Sequence, residues 1–260
     1  MNVDTNQKTY ESPGIVWHYA QLQQLQPAES AILNLLRDRL ADMKMLDIGV
    51  GGGRTTLHFS PVVKDYTGVD YSAEMIAACR QRFSASAAQF AVCDARDMSQ
   101  FDDQSFDLIL FSFNGIDYVS HGDRLKILQE IHRIGKPGGY FCFSSHNLQG
   151  FAHSFRLRNQ LSLNPIRTYV NLMMLGCMRL MNRPLTQTNI QCSDYLIVKD
   201  ESHNFRLNTY YIYPQRQLAQ LMPYFGNVKI YSWSSGQELA TEKELCSNVD
   251  AWLYYLCEIQ

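Results

Sequence analysis

The sequence carries almost no excess charge. Its 260 residues include 23 Lys and Arg against 25 Asp and Glu, a formal net charge of −2, and the pI is near 6.4. That balance lacks the basic footprint needed to grip a phosphate backbone, and it does not point to an anionic membrane surface. Seven cysteines are scattered with no Cys-x-x-Cys pair and in odd number, and Met1 is followed by polar residues rather than a secretory signal. The thiols read as buried structural groups in a reducing cytosol, and the expected location is cytoplasmic. No His, Cys and carboxylate set has ligand spacing, so no metal is expected. There is no internal repeat and no low-complexity tract. A long uninterrupted apolar run is also missing. Pro165–Asn182 is rich in Leu and Met, but Arg167, Asn171 and Arg179 interrupt it, and it is short for a spanning helix. It reads as a helix covering a pocket.

What the chain does have is a large apolar fraction, 46%, arranged in alternating elements. Glu29–Leu40 places Ile32, Leu33, Leu35, Leu36 and Leu40 at helical spacing behind Pro27, where proline is tolerated. Short apolar runs at Met43–Ile48, Asp65–Asp70, Gln89–Asp94, Phe106–Ser112 and Tyr140–Ser145 read as strands. Between them fall helices at Ala73–Phe83, with Ser72 as N-cap, and at Arg124–Arg133. Such alternation predicts an α/β fold, a doubly wound and mostly parallel sheet covered on both faces. The pattern breaks at 147–208, which holds the Met-rich helix and a hairpin of Tyr195–Lys199 with Phe205–Tyr213. It resumes with a helix from Pro214 and two last strands, Val228–Ser232 and Trp252–Ile259.

The most informative stretch is Leu46-Asp47-Ile48-Gly49-Val50-Gly51-Gly52-Gly53-Arg54-Thr55-Thr56, where a strand passes into a helix. Glycines there let the backbone turn sharply and approach a ligand, and the helix start offers free N–H groups. The dinucleotide fingerprint would need a glycine at position 54, which is Arg54, and the Gly-x4-Gly-Lys-Ser/Thr phosphate loop is absent. Instead, Asp47 stands two residues before Gly49. Gly68-Val69-Asp70-Tyr71 follows the second strand, Cys93-Asp94-Ala95-Arg96 the third, and Pro137-Gly138-Gly139 precedes the fifth.

Together these resemble the motifs of the class I S-adenosylmethionine-dependent methyltransferases, well over Met43–Ser145 and weakly over the last fifty residues. The resemblance implies a seven-stranded Rossmann-like sheet with an inserted lid. It makes S-adenosylmethionine the cofactor and S-adenosylhomocysteine the product. Asp47, Gly49 and Gly51 would hold the methionine part, and Arg54 its carboxylate. Asp70 would accept from the ribose hydroxyls, with Tyr71 and Met75 against adenine and Asp94 and Ala95 at its amino group. Phe111 and Phe113 would run behind the methionine moiety, and Tyr19, in an aromatic arm with Tyr10, Trp17 and His18, would fold over the cofactor.

The acceptor belongs outside the carboxyl ends of the strands. This puts Asn114, Asp117 and Tyr118 beyond strand four and His146 and Asn147 beyond strand five, with His146 as the candidate general base. Asp117 and Tyr118 complete the catalytic candidates, and Asn114, Asn147 and Tyr211 are the substrate candidates. The expected organisation is an N-terminal arm (1–42), a cofactor-binding core (43–146), a substrate lid (147–208) and a closing part of the sheet (209–260). Met173, Met174, Met178 and Met181 would form an apolar roof or plain core. Arg156, Arg158, Arg167, Arg179 and Arg183 would favour an acidic acceptor if several faced the cleft. The reading is transfer of methyl to N or O of a small molecule, as in secondary-metabolite biosynthesis, by a monomer or homodimer without nucleic-acid or membrane partner. Carboxyl methylation of an acidic metabolite or peptide stays open, as does cofactor binding without turnover. Nucleic-acid base amino methylation is disfavoured, because the Asn/Asp-Pro-Pro-Phe/Tyr motif is replaced by Phe111-Ser112-Phe113-Asn114.

Overall fold

The computed structural model describes residues 23–183, 185–200 and 205–260, so Tyr10, Trp17, His18 and Tyr19 lie outside the described residues. The first helix, α1 (Pro27–Leu40), buries Ile32, Leu36 and Leu40 on one face and begins with Glu29 accepting from the Gln26 N–H at 2.7 Å. Then come β1 (Lys44–Ile48), the short α2 (Thr56–Phe59), β2 (Asp65–Asp70), α3 (Ala73–Arg82), β3 (Gln89–Val92) and β4 (Phe106–Phe111). A 3-10 turn (Gly115–Tyr118) leads into α4 (His121–Ile134) and β5 (Gly135–Asn147). Ser72 caps α3 through the Met75 N–H, as its sequence predicts. β1 is buried on both faces after its first residue, which a central parallel strand under helices requires.

Strands β3-β2-β1-β4-β5 lie side by side and all four pairings are parallel. Residues 147–208 contain α5 (Leu148–Ser154), α6 (Pro165–Met181), α7 (Gln187–Cys192) and the strand β6 (Tyr195–Val198). β7 (Thr209–Ile212), α8 (Pro214–Leu221), β8 (Phe225–Ser232), α9 (Glu242–Ser247) and β9 (Trp252–Ile259) follow. β9 runs antiparallel to β5 from Tyr140 to His146, and β8 antiparallel to β9. The α/β sheet is thus mostly parallel, as expected, and among the described residues it has nine strands, two more than the expected seven. The reason lies in β5. Its pairing with β4 ends at Phe111↔Phe143, yet it continues to Asn147, leaving unpaired backbone groups on that edge. β7 satisfies them at His146↔Tyr211 and Asn147↔Ile212 and brings β6 with it. The hairpin therefore sits at the carboxyl end of the sheet, where a ligand would bind.

This segment has its own small core of Leu148, Phe151, Phe155, Leu175, Met178 and Ile190, which includes Tyr211 of β7. The methionine roof is corrected here. Met178 is buried, whereas Met173, Met174 and Met181 are exposed, because the inward face of α6 carries only Leu175 and Met178. Among the described residues no helix is long and apolar enough to cross a membrane.

Candidate active site

A cavity of about 350 Å³ opens at the carboxyl ends of β1, β2 and β4. Its floor is the glycine turn after β1. Gly49 (φ 67°), Gly51 (φ 52°) and Gly53 (φ 79°) all adopt left-handed backbone, which other residues adopt at a cost. A side chain at Gly53 would collide with the Phe83 ring at 2.3 Å, and one at Gly49 would press on Phe111 at 3.1 Å. At Gly51 it would meet nothing nearer than the Gly49 carbonyl at 3.9 Å, so this part of the turn faces open space that a ligand can occupy.

Two buried acids flank the turn. Asp47 accepts from the Thr55 hydroxyl and the Tyr66 hydroxyl, both on Oδ2. Burial pushes its carboxyl up to about 6, against the pull of those two donors. A buried acid in this state is primed to be held ionised by a cationic ligand group. Asp70 accepts from Gly51 N–H at 3.0 Å and Ser72 N–H at 2.9 Å, one on each oxygen. Burial raises its carboxyl despite these bonds. Each oxygen keeps a second lone pair, and Asp70, Tyr71 and Met75 share the same cavity wall.

Two charged residues in the wall are already engaged. Arg54 forms a forked pair with Glu29, Nη1 to Oε2 at 2.5 Å and Nη2 to Oε1 at 2.7 Å. Burial alone would raise Glu29, but Arg54, Ser112 and the Gln26 N–H outweigh it and hold the carboxyl below its usual range. Tyr254 also donates to Glu29, at 3.0 Å. Asp94 likewise spends both oxygens on Arg96, and that pairing outweighs its desolvation and lowers its carboxyl. Arg54 and Asp94 line the cavity beside Phe111 and Phe113, while Ala95 packs against the main core instead. Glu29 was not foreseen as a site residue. Its only sequence signal is an acid in the first turn of α1, and its reach to Arg54 is purely tertiary.

A second constellation adjoins the cavity through Tyr118, which lines it and whose ring lies 6.2 Å from that of His146. Asp117 is wholly buried. It accepts from His146 N–H at 2.6 Å, His146 Nδ1 at 2.7 Å, Ser145 Oγ at 2.9 Å and the Arg124 guanidinium. Asp117 thus orients the imidazole and is itself shut off from any ligand. With Nδ1–H directed at the carboxylate, Nε2 is the unprotonated nitrogen of the ring, and it accepts from the Asn114 amide at 3.4 Å. Asn114 Oδ1 and the neighbouring Asn147 Nδ2 are buried without a hydrogen-bond partner among the described residues. Asn147 Oδ1 caps α5 through Gln149 N–H. The Tyr211 ring lies 4.8 Å from that of His146, tilted by 43°, and its hydroxyl donates to Asp200. The structure therefore gathers Asn114, Asp117, Tyr118, His146, Asn147 and Tyr211 at one sheet end. It also adds Arg124 and Trp252, which sequence spacing did not mark. None of the five lid arginines lines the cavity.

Comparison with known proteins bears on the cofactor cavity. A family model described as a methyltransferase domain matches residues 45–139. The uncharacterized methyltransferase YcgJ of Bacillus subtilis is 33% identical over 111 residues, 41% of this chain and 42% of that protein. The fatty-acid O-methyltransferase of Mycolicibacterium smegmatis is 29% identical over 104 residues, 39% of this chain and 36% of that protein. The chain spans less than half the length of these curated relatives. Among solved structures, an S-adenosylmethionine dependent methyltransferase from Mesorhizobium loti superposes with a TM-score of 0.59 at 17% identity, covering 89% of this chain and 97% of that one. The N-methyltransferase NodS from Bradyrhizobium japonicum, in complex with S-adenosylhomocysteine, gives 0.53 at 14% identity, covering 94% and 96%. At such identities the likeness is one of fold. Residues 45–139 thus match a methyltransferase domain, and the chain as a whole has the fold of solved S-adenosylmethionine-dependent methyltransferases.

Proposed function

We propose that this chain transfers a methyl group from S-adenosylmethionine to a nitrogen or oxygen of a small-molecule acceptor. The observation that carries the reading is the pairing of an open glycine cradle with two buried acids, Asp47 and Asp70, in the wall of one cavity. The residues present fit the cofactor. Asp70 retains acceptor capacity for ribose hydroxyls, Met75 and Val92 offer apolar surface to a base, and Asp47 complements a cationic amino-acid end. Arg54 and Asp94 contribute through shape and through their partnered charges. When bound, the cofactor supplies a methyl group already activated on a sulfonium.

The chain's own contribution is then positioning and proton handling. Closely held reactants gain effective molarities on the order of 10^5–10^8 M in favourable cases. Asp117 fixes His146 so that Nε2 can take a proton from the acceptor, with Asn114 and Tyr118 beside it as orienting groups. The fatty-acid O-methyltransferase among the relatives supports an oxygen acceptor on a molecule with an apolar tail. An acidic acceptor held by the lid arginines has no support in the cavity wall. Residues 147–208 are proposed as the substrate lid.

The test is His146→Asn, assayed with an acceptor found by screening. Turnover is expected to fall by roughly 100-fold, the low end for a general base, with S-adenosylmethionine affinity within a factor of about two of wild type. Equal turnover across neutral pH would remove His146 from the chemistry. A folded wild-type chain that binds the cofactor but methylates nothing in a broad screen would favour a binding protein without turnover.

A further inference from the structure

Helix α6 turns an apolar stripe outward. Ile166, Tyr169, Val170, Met173 and Leu180 recur at i, i+3, i+4, i+7 and i+14, which places them along one face of a 3.6-residue helix. That face is uncovered by the described residues: Ile166 is 74% exposed, Tyr169 66%, Met173 53% and Leu180 57%. The opposite side sends Leu175 and Met178 into the lid core. Single exposed apolar residues are ordinary, but a contiguous stripe on one helix marks an interaction surface. Leu163, fully exposed just before the helix, extends it.

The segment that carries the stripe is one-sided in charge. Residues 148–193 contain Arg156, Arg158, Arg167, Arg179 and Arg183 and not one Asp or Glu, while the rest of the chain holds 18 basic and 25 acidic residues. Residues 148–193 are thus a cationic, apolar-faced segment on a chain whose remainder is net acidic. Arg158, Arg167, Arg179 and Arg183 are exposed. Arg179 bends over the Phe155 ring at 5.3 Å and donates to the Phe155 carbonyl at 3.2 Å. No arginine of the set lines the cofactor cavity, so their charge is directed to something outside it.

We propose that the lid lies on an anionic lipid bilayer, with the stripe of α6 in the headgroup and acyl boundary and the lid arginines against lipid phosphates. An amphipathic helix of this make-up binds in the plane of the interface rather than across it, in keeping with the lack of a spanning helix among the described residues. Charge complementarity selects this occupant. A second copy of the chain would bring the same cationic lid against itself, and arginines repel in that arrangement. The proposal replaces the sequence-based expectation of no membrane partner. It stands independently of the methyl-transfer reading, since it concerns the outer face of the lid.

The test is co-sedimentation of the full chain with vesicles of phosphatidylcholine alone and of phosphatidylcholine with phosphatidylglycerol. The protein is expected to pellet with the anionic vesicles, to be released as salt rises, and to stay largely in solution with phosphatidylcholine alone. Ile166→Glu combined with Met173→Glu is expected to reduce the pelleted fraction roughly tenfold while leaving the circular dichroism melt unchanged. Arg158→Gln with Arg167→Gln should abolish the preference for anionic vesicles. Wild-type protein that ignores anionic vesicles overturns the proposal, as does a Glu variant that pellets as wild type does. Light scattering that shows a wild-type dimer and a monomeric Glu variant would assign the stripe to self-association instead.

Discussion

Asp117→Asn is expected to destabilise the fold by about 3–5 kcal/mol, the cost of breaking a buried ion pair from one side. Asp117 and Arg124 are both fully buried. The carboxylate collects four donors from the chain: Arg124, Ser145, and the backbone and ring of His146. The guanidinium in turn donates to Gln217, Gln220, Ser145 and the Ile116 carbonyl and lies 4.7 Å over the Tyr210 ring. The network ties the turn after β4 to α4, β5 and α8. Its loss leaves a cation inside the protein with neutral partners only, while a whole domain is stable by only about 5–15 kcal/mol. The measurement is urea unfolding, with a lowered midpoint at unchanged slope. If the variant does not fold, Asp117→Leu with Arg124→Met supplies the comparison: removing both charges should cost markedly less than removing one. Equal costs would mean that the pair is not coupled. Because Asp117 acts on the chemistry only through His146, a folded Asp117→Asn enzyme should also lose turnover with little change in cofactor affinity.

The second large effect is at Asp70. Asp70→Ala is expected to weaken S-adenosylmethionine and S-adenosylhomocysteine by roughly 100-fold or more. Two hydrogen bonds to a charged group are each worth about 1.5–3 kcal/mol, and about 1.4 kcal/mol is tenfold in affinity. The fold should tolerate the change, because burial already disfavours the Asp70 carboxylate. Asp70 also anchors the Gly51 and Ser72 N–H groups, so Asp70→Asn, which keeps one acceptor, should lie between wild type and Ala. Calorimetry on all three reads the order. Affinity unchanged in Asp70→Ala would remove Asp70 from the cofactor site.

What the sequence revealed and what it concealed divide along physical lines. The strands β1, β2 and β4 were legible because a buried parallel strand is a short apolar run, and the acids at their ends stand out against it. Asp47, Asp70, Tyr71, Met75, Phe111 and Phe113 do share one cavity wall. The helix α6 was legible in extent, Pro165–Asn182 against the observed Pro165–Met181, but not in facing. An apolar stripe looks the same whether it meets a core or a solvent, so Met173 and Met181 were placed on the wrong side. Pairings across the chain left no local trace. Glu29 of α1 meets Arg54 in the turn after β1, His146 meets Asp117 across 29 positions, and Arg124 looked like an ordinary first-turn arginine although it is fully buried. The prolongation of β5 to Asn147 was hidden as well, since it depends on β7 arriving to pair with it.

The central claim is that the cavity beside Gly49–Gly53 is built for an adenosyl sulfonium and not for a dinucleotide. It is tested most directly by calorimetric titration of the purified full chain with S-adenosylmethionine, S-adenosylhomocysteine and NAD. Micromolar binding of both adenosyl ligands with no heat from NAD is the expected result. NAD binding with no response to either adenosyl ligand, in a sample shown to be folded, would contradict it.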